Sequence, residues 1–442
     1  MNFSSQKVWP VAVIGGGIVG ICSALALRQR GVDVLLIDPL DEHRRASYGN
    51  AGVVSCGSIF PMAGPQVPAK ALGYLMGRDP GIRIRKRSGL ASLAWAKVFL
   101  AHCNTASHDA AARQLTALTR AAWPAHVALA QVVHTQSLLK NIGWIRLYRD
   151  AAMWQAAASE RALLKSYGVA LTDLNAAQLR EHEPALSHRY FAGSMINDAG
   201  AVQSPEALIR ACYQTFRAIG GVIKQSFCRQ LQATDESINL LVEDQGAGQG
   251  KGAGFDGAAI RAQSVIIAAG VWSGALLKQL RAQLAIALPL AAERGYHQHL
   301  TQVAGQSQLT RPVYDVAGGF VMAPTATTSE VRILSGVELA RPDDPANYAM
   351  LNRVIADARQ SLKLIDLPAD KPWLGSRPST PDGLPVIGQI AKDPRIICAF
   401  GHGHIGLSTG PLTGQIVADL FQSRPPSIDI SGFAPERFSR RF

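Results

Sequence analysis

The run VAVIGGGIVG, Val11 to Gly20, limits what this chain can fold into more than any other feature. A short apolar strand enters three glycines. Ile18, Ile21, Cys22 and Leu25 then recur at helical spacing as far as Gly31, a natural helix stop. VDVLLID follows as a second strand ending at Asp38. Strand, glycine turn, helix and strand make a βαβ unit with parallel strands. In that context Gly15-x-Gly17-x-x-Gly20 reads as a dinucleotide grip around Ile18 and Val19. The first glycine makes the tight turn, the second admits a pyrophosphate to the backbone, and the third lets helix and strand pack closely. The helix N-terminus stabilises the phosphate charge, and Asp38 is placed to meet the adenosine ribose hydroxyls.

NAD and FAD share this grip, and the fingerprint does not separate them. The layout does. Strands of the same apolar kind return far downstream, in SVIIAAGVWS (Ser264 to Ser273) and PRIICAFGHG. A nucleotide domain assembled from separated pieces suits an extended cofactor whose far end is covered by the last segment of chain. Between the pieces, residues 60–190 carry mostly helical, alanine- and leucine-rich patterns. Residues 282–370 mix strands (HQHLTQVA, GFVMAPTA, VRILSGVE) with a helix from Pro345 to Leu362. The expected fold is therefore α/β: a Rossmann-type domain from residues 1–60, 190–281 and 371–442, plus an α+β domain with a mixed or antiparallel sheet from 61–189 and 282–370. Gly246 to Gly257 reads as a flexible hairpin tip or loop.

The 442 residues, 48% hydrophobic and 17% charged, suffice for two packed units. No apolar run reaches membrane-spanning length, and MNFSSQKVWP lacks the apolar core of a signal peptide, so a cytoplasmic protein is expected. Six scattered cysteines without a CxxC pair fit reduced thiols rather than a disulfide framework or zinc site. The net charge of +12 comes without a nucleic-acid recognition motif. Its densest cluster, Arg83, Arg85, Lys86 and Arg87, precedes an apolar stretch bearing Leu90, Leu93, Trp95 and Phe99. That pattern suits a solvated loop ahead of a core helix, a partner protein, or peripheral contact with a membrane surface, here the cytoplasmic face of the inner membrane.

Seven segments, in order along nearly the whole chain, carry a resemblance. They are IGGGIVGICSALAL, SYGNAGVVS (Ser47 to Ser55), DAGAVQSPEAL, IIAAGVWS, ERGYH, GSRPSTPDGLPVIG (Gly375 to Gly388) and GHGHIGLSTGP. Together they resemble the D-amino acid dehydrogenases of the D-amino-acid-oxidase-type FAD-dependent oxidoreductases. The resemblance implies noncovalent FAD, since neither histidine nor cysteine lies between Ser47 and Ser55. It implies hydride transfer from a D-amino acid Cα to flavin N5, yielding a 2-oxo acid and ammonia after hydrolysis. Electrons would pass to a quinone or other redox partner rather than to oxygen. Relatives acting on hydroxy-D-proline, sarcosine or glycine, some within larger complexes, supply the alternative.

Residue by residue, the resemblance assigns Arg377 to the substrate carboxylate, a task suited to the planar guanidinium fork, the alternative being a structural arginine that pairs with Asp382 or caps a loop. Tyr296 either assists that clamp or is a buried tyrosine bonded elsewhere, and His297 should point to the opposite face of the strand. His404, with His402, either lines the substrate side or is satisfied within its loop, and no third ligand suggests a metal. Ser47, Asn50, Ala51 and Gly52 would wrap the pyrophosphate and ring edge, with Ala269 and Gly270 beside them. Gly406, Leu407, Ser408 and Thr409 would meet the flavin at the entrance of a helix that Pro411 opens.

Overall fold

The computed structural model of the chain describes residues 7–85, 89–244, 258–284, 286, 288–367 and 371–438. The tract Gly246 to Gly257 and the residues Lys86 and Arg87 lie outside the described residues.

Five strands form the parallel heart of the first sheet, in the order Val222–Lys224, Val34–Ile37, Val8–Ile14, Ala258–Ile267 and Asp393–Phe400. The apolar runs read from the sequence are therefore direct neighbours, with Val13 opposite both Leu36 and Ile266, and Ile266 opposite Ile397. Their continuous apolarity follows from burial on both faces. On one face lie the helices Ile18–Gln29, Pro205–Ala218 and Gly406–Phe421. The opposite face packs against Leu276, Leu277, Leu280 and Leu284. Gly410 and Gly414 let the Gly406–Phe421 helix press against Ile18 and the Cys22 backbone. A Cβ at Gly414 would stand only 2.6 Å from the Cys22 carbonyl carbon.

The second sheet has eleven strands and is mixed, mainly antiparallel. Its long central strand, Ala291–Gln302, pairs with Trp373–Ser379, Glu330–Leu334, Val337–Leu339 and Leu364–Asp366. Buried apolar side chains of this sheet meet the helix Ala349–Ser361. The α/β class with a second, mixed-sheet unit is as expected.

Several boundaries need correction. The strand Ala192–Ile196 belongs to the large sheet, so that sheet runs past residue 190, and Trp373–Ser379 belongs to it as well. Conversely, Ala122, Leu129 and Val133 of the helix Ala122–Val132 and its end pack into the Rossmann-side core, not onto the large sheet. Residues 60–190 also hold the strands Trp144–Tyr148 and Leu171–Asn175, whose short patterns are masked by the alanine-rich helices around them. The helix expected from Pro345 starts only at Ala349, because the preceding turn is spent as a clamp. The Pro345 carbonyl accepts from Arg294, and the Asn347 amide donates to the Tyr296 hydroxyl.

The basic run starts on an edge strand, Ile82–Ile84, with Arg85 paired to Glu338 at 2.9 Å. Trp95 is buried, stacks on Phe99 and donates its indole N–H to the Ser379 carbonyl, so this part of the helix is turned inward. Exposed apolar side chains gather instead at Leu72, Leu75 and Met76. Among the described residues no helix is long and apolar enough to cross a membrane.

Candidate active site and cofactor cavity

The C-terminal ends of the parallel strands, the place where open α/β sheets bind ligands, open into a cavity of about 430 Å³. Gly15, Gly17, Ile18, Val19, Asp38, Ser47, Asn50, Ala269, Gly270, Gly406 and Leu407 line it, so the structure brings these expected residues together. Gly20, Ala51, Gly52, Ser408 and Thr409 are not on the wall. Gly20 instead packs on the Gly15 carbonyl, and Gly52 (φ 79°) packs on the Val202 carbonyl. The Ser408 hydroxyl donates to the Val53 carbonyl at 2.9 Å and the Thr409 hydroxyl to the Ile405 carbonyl at 2.8 Å. Both hydroxyls are thus committed to backbone.

The glycines show that the cavity is shaped for a ligand lying against backbone. A Cβ on Gly17 would find its nearest neighbour, Ser47 Oγ, 3.9 Å away, and one on Gly270 or Gly403 would meet nothing within 4 Å. Those positions are open toward the cavity, whereas Gly15 (φ 98°) is pressed against the Ala268 carbonyl. Over the grip, the first-turn amides of the Ile18–Gln29 helix lack intrahelical acceptors. The donor set, a glycine turn at a helix N-terminus and an acidic residue at the next strand end, fits FAD, with the Ile18 amide donating to Ser47 Oγ at 3.2 Å. At the wall, Asp38 accepts from the Gly16 amide (2.6 Å), the Leu40 amide (2.7 Å) and Arg45 (2.7 Å). Arg45 and the Tyr213 hydroxyl complete this buried cluster. Tyr213 was not legible beforehand, since it sits among apolar residues of an amphipathic helix.

The Ser47 to Gly52 loop is fixed from the other sheet. Arg332 donates to the Asn50 carbonyl at 2.5 Å and pairs with Glu206 at 3.1 Å, while His297 Nδ1 lies 3.1 Å from the Gly49 carbonyl and its ring stacks on Trp373.

At the far end stands Arg377, on the strand Trp373–Ser379. Gly295, opposite Gly375 on the next strand, leaves room for it. A Cβ there would fall 2.5–2.7 Å from the guanidinium. No side-chain hydrogen bond or ion pair within 4 Å engages this guanidinium among the described residues. Burial pulls it below its ordinary value, and the charge of Glu293 opposes that shift. An isolated Ser379–His402 bridge ties this strand to the loop before the Gly406–Phe421 helix.

Tyr296 does not reach the cavity. It is 1% exposed, and its hydroxyl donates to Glu338 (2.6 Å) and accepts from Arg294 (3.2 Å) and the Asn347 amide (3.1 Å). Strand alternation explains the outcome: Glu293, Gly295 and His297 share the face toward the cofactor side, and Tyr296 has the other.

His402 and His404 diverge. The Thr413 hydroxyl donates to the Thr409 carbonyl, so His402 Nε2–H donates to Thr413 Oγ1 at 3.1 Å. Burial pushes His402 down to about 3, which keeps it neutral. His404 Nε2 lies 2.7 Å from Glu293 Oε2, at the rim of a second cavity of about 370 Å³ that shares His402 and Gly403 in its wall with the first.

The helix carrying Gly406 starts five residues before Pro411. Proline inside a helix deletes one N–H and orphans the carbonyl four residues back, here that of Leu407. His126 Nε2 fills the vacancy, donating to the Leu407 carbonyl at 2.9 Å. Burial pushes His126 down to about 4, so it stays neutral. This partnership across the fold is why proline does not mark the helix start.

Residues 10–420 match the family described as FAD dependent oxidoreductase (DAO), and the chain belongs to it. It is 32% identical to a D-amino-acid oxidase of Bradyrhizobium diazoefficiens, over 97% of this chain and 98% of that one. It is 30% identical to D-amino acid dehydrogenase 2 of Pseudomonas aeruginosa, over 96% and 98%. The solved glycine oxidase from Geobacillus kaustophilus shares the fold, with a TM-score of 0.72 over 98% of this chain and 99% of that one at 19% identity. The chain is thus an FAD-dependent oxidoreductase.

Proposed function

We propose that the protein oxidises D-amino acids at Cα to imines, which hydrolyse to 2-oxo acids and ammonia, and passes the electrons to a quinone or another non-oxygen acceptor. The observation that carries this reading is Arg377, a half-buried guanidinium on the wall of the cofactor cavity with no side-chain partner among the described residues. Such a cation is stabilised by a ligand carboxylate through two parallel charge-assisted bonds. The full-length relatives named D-amino-acid oxidase and D-amino acid dehydrogenase support the substrate class.

Bound FAD supplies the hydride acceptor. The protein's part is placement. Arg377 would hold the carboxylate so that Cα faces the ring, and Gly295 keeps that guanidinium's space clear. The Gly406–Phe421 helix would turn its positive N-terminal end toward the edge of the ring where negative charge gathers on reduction. Gly15, Gly17 and Asp38 would hold the pyrophosphate and ribose, and Ser47 and Asn50 the ring edge. We take FAD to be held noncovalently: burial pushes the lining thiol Cys228 up to about 12, so it stays protonated. Leu72, Leu75 and Met76, exposed beside Lys70 and Arg78, support peripheral contact with an anionic membrane where a quinone would be reached.

The test is anaerobic mixing of the yellow holoprotein with D- and L-amino acids, hydroxy-D-proline, sarcosine and glycine. Bleaching by D-amino acids, with faster reoxidation by a quinone analogue than by oxygen, is expected. Bleaching by sarcosine or glycine alone would overturn the substrate assignment, and preference for oxygen would overturn the acceptor.

A further inference from the structure

Two opposite charges stand side by side on adjacent strands beside the cofactor cavity without an ion pair within 4 Å between them. Glu293 and Arg377 are register partners on adjacent antiparallel strands, an arrangement that puts side chains on one face about 5 Å apart at Cβ. Opposite charges so placed ordinarily close on one another, yet here each faces elsewhere. Arg377 extends over Gly295 into the cofactor cavity, and Glu293 turns into the second cavity, toward His404 at 2.7 Å. Glu293 is 1% exposed, so its carboxylate is committed to the interior. The two cavities share His402 and Gly403 in their walls, so the two charges stand on either side of one shared stretch of wall.

An amino acid carries its carboxylate and its ammonium on the same carbon. A cation and an anion held one strand apart are the complement of that zwitterion. We propose that Glu293 is the amine-binding residue of the substrate site, pairing with the substrate ammonium while Arg377 holds the carboxylate, and so selects amino acids over hydroxy acids and simple carboxylates. This rests on the amino acid reading above and adds the residue that reads nitrogen. His404 closes the solvent side of the Glu293 carboxylate, with Nε2 2.7 Å from Oε2.

The environment keeps Glu293 ionised. Burial pushes its carboxyl up, but His404, the Ser379 hydroxyl and Arg377 outweigh that and hold it below its ordinary value. Across the second cavity, Arg146 is already engaged by Glu160 at 2.6 Å, and Tyr314 lines the same wall. Arg146 therefore leaves Glu293 to the amine.

The experiment uses two ligands that cannot be oxidised. α-Aminoisobutyrate is a zwitterion lacking a Cα hydrogen, and pivalate is its near-isostere with methyl in place of ammonium. Binding to the full-length holoprotein is followed by calorimetry and by perturbation of the flavin spectrum. Glu293→Gln should weaken α-aminoisobutyrate about tenfold to a hundredfold, as expected for a lost charged hydrogen bond, and leave pivalate unchanged. Glu293→Asp, which keeps the charge, should retain preference for the zwitterion and so separates lost recognition from misfolding. Arg377→Ala should weaken both ligands. Equal loss of both ligands in Glu293→Gln, or loss of neither, overturns the proposal. If the wild type discriminates through Glu293 yet no D-amino acid bleaches its flavin, the catalytic reading fails while this one stands.

Discussion

At the scale of single residues, the strand Ala291–Gln302 shows how one step along the chain separates the cavity side from the buried core. Gly295 and Tyr296 are adjacent, but the first clears space for Arg377 and the second anchors a buried polar knot with Glu338 and Arg294. Gly295→Ala would set a methyl against the end of a flexible guanidinium, so the fold should survive and Arg377 should move. A displacement of that size in a positioning group costs on the order of tenfold to a hundredfold in kcat/KM. Tyr296→Phe should do the reverse, costing about 1–3 kcal/mol in denaturant unfolding with kcat/KM unchanged. Steady-state kinetics and urea titration of both variants check this, and a Tyr296→Phe enzyme crippled in KM would contradict the assignment of faces. The place of Arg377 on the cavity wall was legible in the sequence because the turn motif around it is long and distinctive. Tyr296 was misplaced because a motif names residues without giving strand parity. Glu293 lay in the same motif, and an acidic residue in a run otherwise destined for burial was the signal available to find it.

At the scale of elements, the Gly406–Phe421 helix joins the cofactor wall to the core, and its proline is a vacancy filled from another helix. His126 belongs to the helix Ala122–Val132, yet its imidazole serves as the missing donor to Leu407. Removing His126 leaves a buried carbonyl unpaired, so His126→Ala should cost about 1–3 kcal/mol. Pro411→Ala restores the N–H and offers Leu407 an internal partner. The two substitutions should therefore be coupled, with His126→Ala about 1 kcal/mol milder in the Pro411→Ala background. A double-mutant cycle by urea denaturation measures that difference, and strict additivity would remove His126 from the capping role. This element also marks the limit of sequence reading. The parallel strands were legible because doubly buried strands must be apolar throughout. The helix entrance was not, because proline's rule for a first turn is overridden by a donor 281 positions away in the chain. The same holds for Arg332 and Tyr213, whose roles come from long-range docking onto the Asn50 loop and Gly16.

At the scale of the molecule, three buried histidines link folding to acidity. His126 is depressed to about 4 and His402 to about 3, and His297 is also lowered, chiefly by burial and then by the Arg332 charge. Each is neutral in the folded chain and free to take a proton near pH 6.5 once unfolded. Below that pH the unfolded state binds more protons, so stability rises with pH and is lost as pH falls from about 6.5 toward the folded values. Each site contributes a slope of up to about 1.4 kcal/mol per pH unit in that window. Depressed carboxylates such as Glu293 and Asp357 act in the same direction, but their window opens only below the ordinary carboxylate range. The loss between pH 6.5 and 5 therefore belongs to the histidines. Two of them brace the Gly406–Phe421 helix, through Leu407 and Thr413, so acid should loosen the cofactor wall as it lowers global stability. Urea unfolding and flavin release followed together at pH 7, 6 and 5 should fall in step. A His126→Gln variant, already weaker at pH 7, should show a shallower pH slope because one of the three titrating groups is gone. An unchanged slope in that variant would mean that His126 takes up its proton equally in the folded and unfolded chains, so that burial does not depress it.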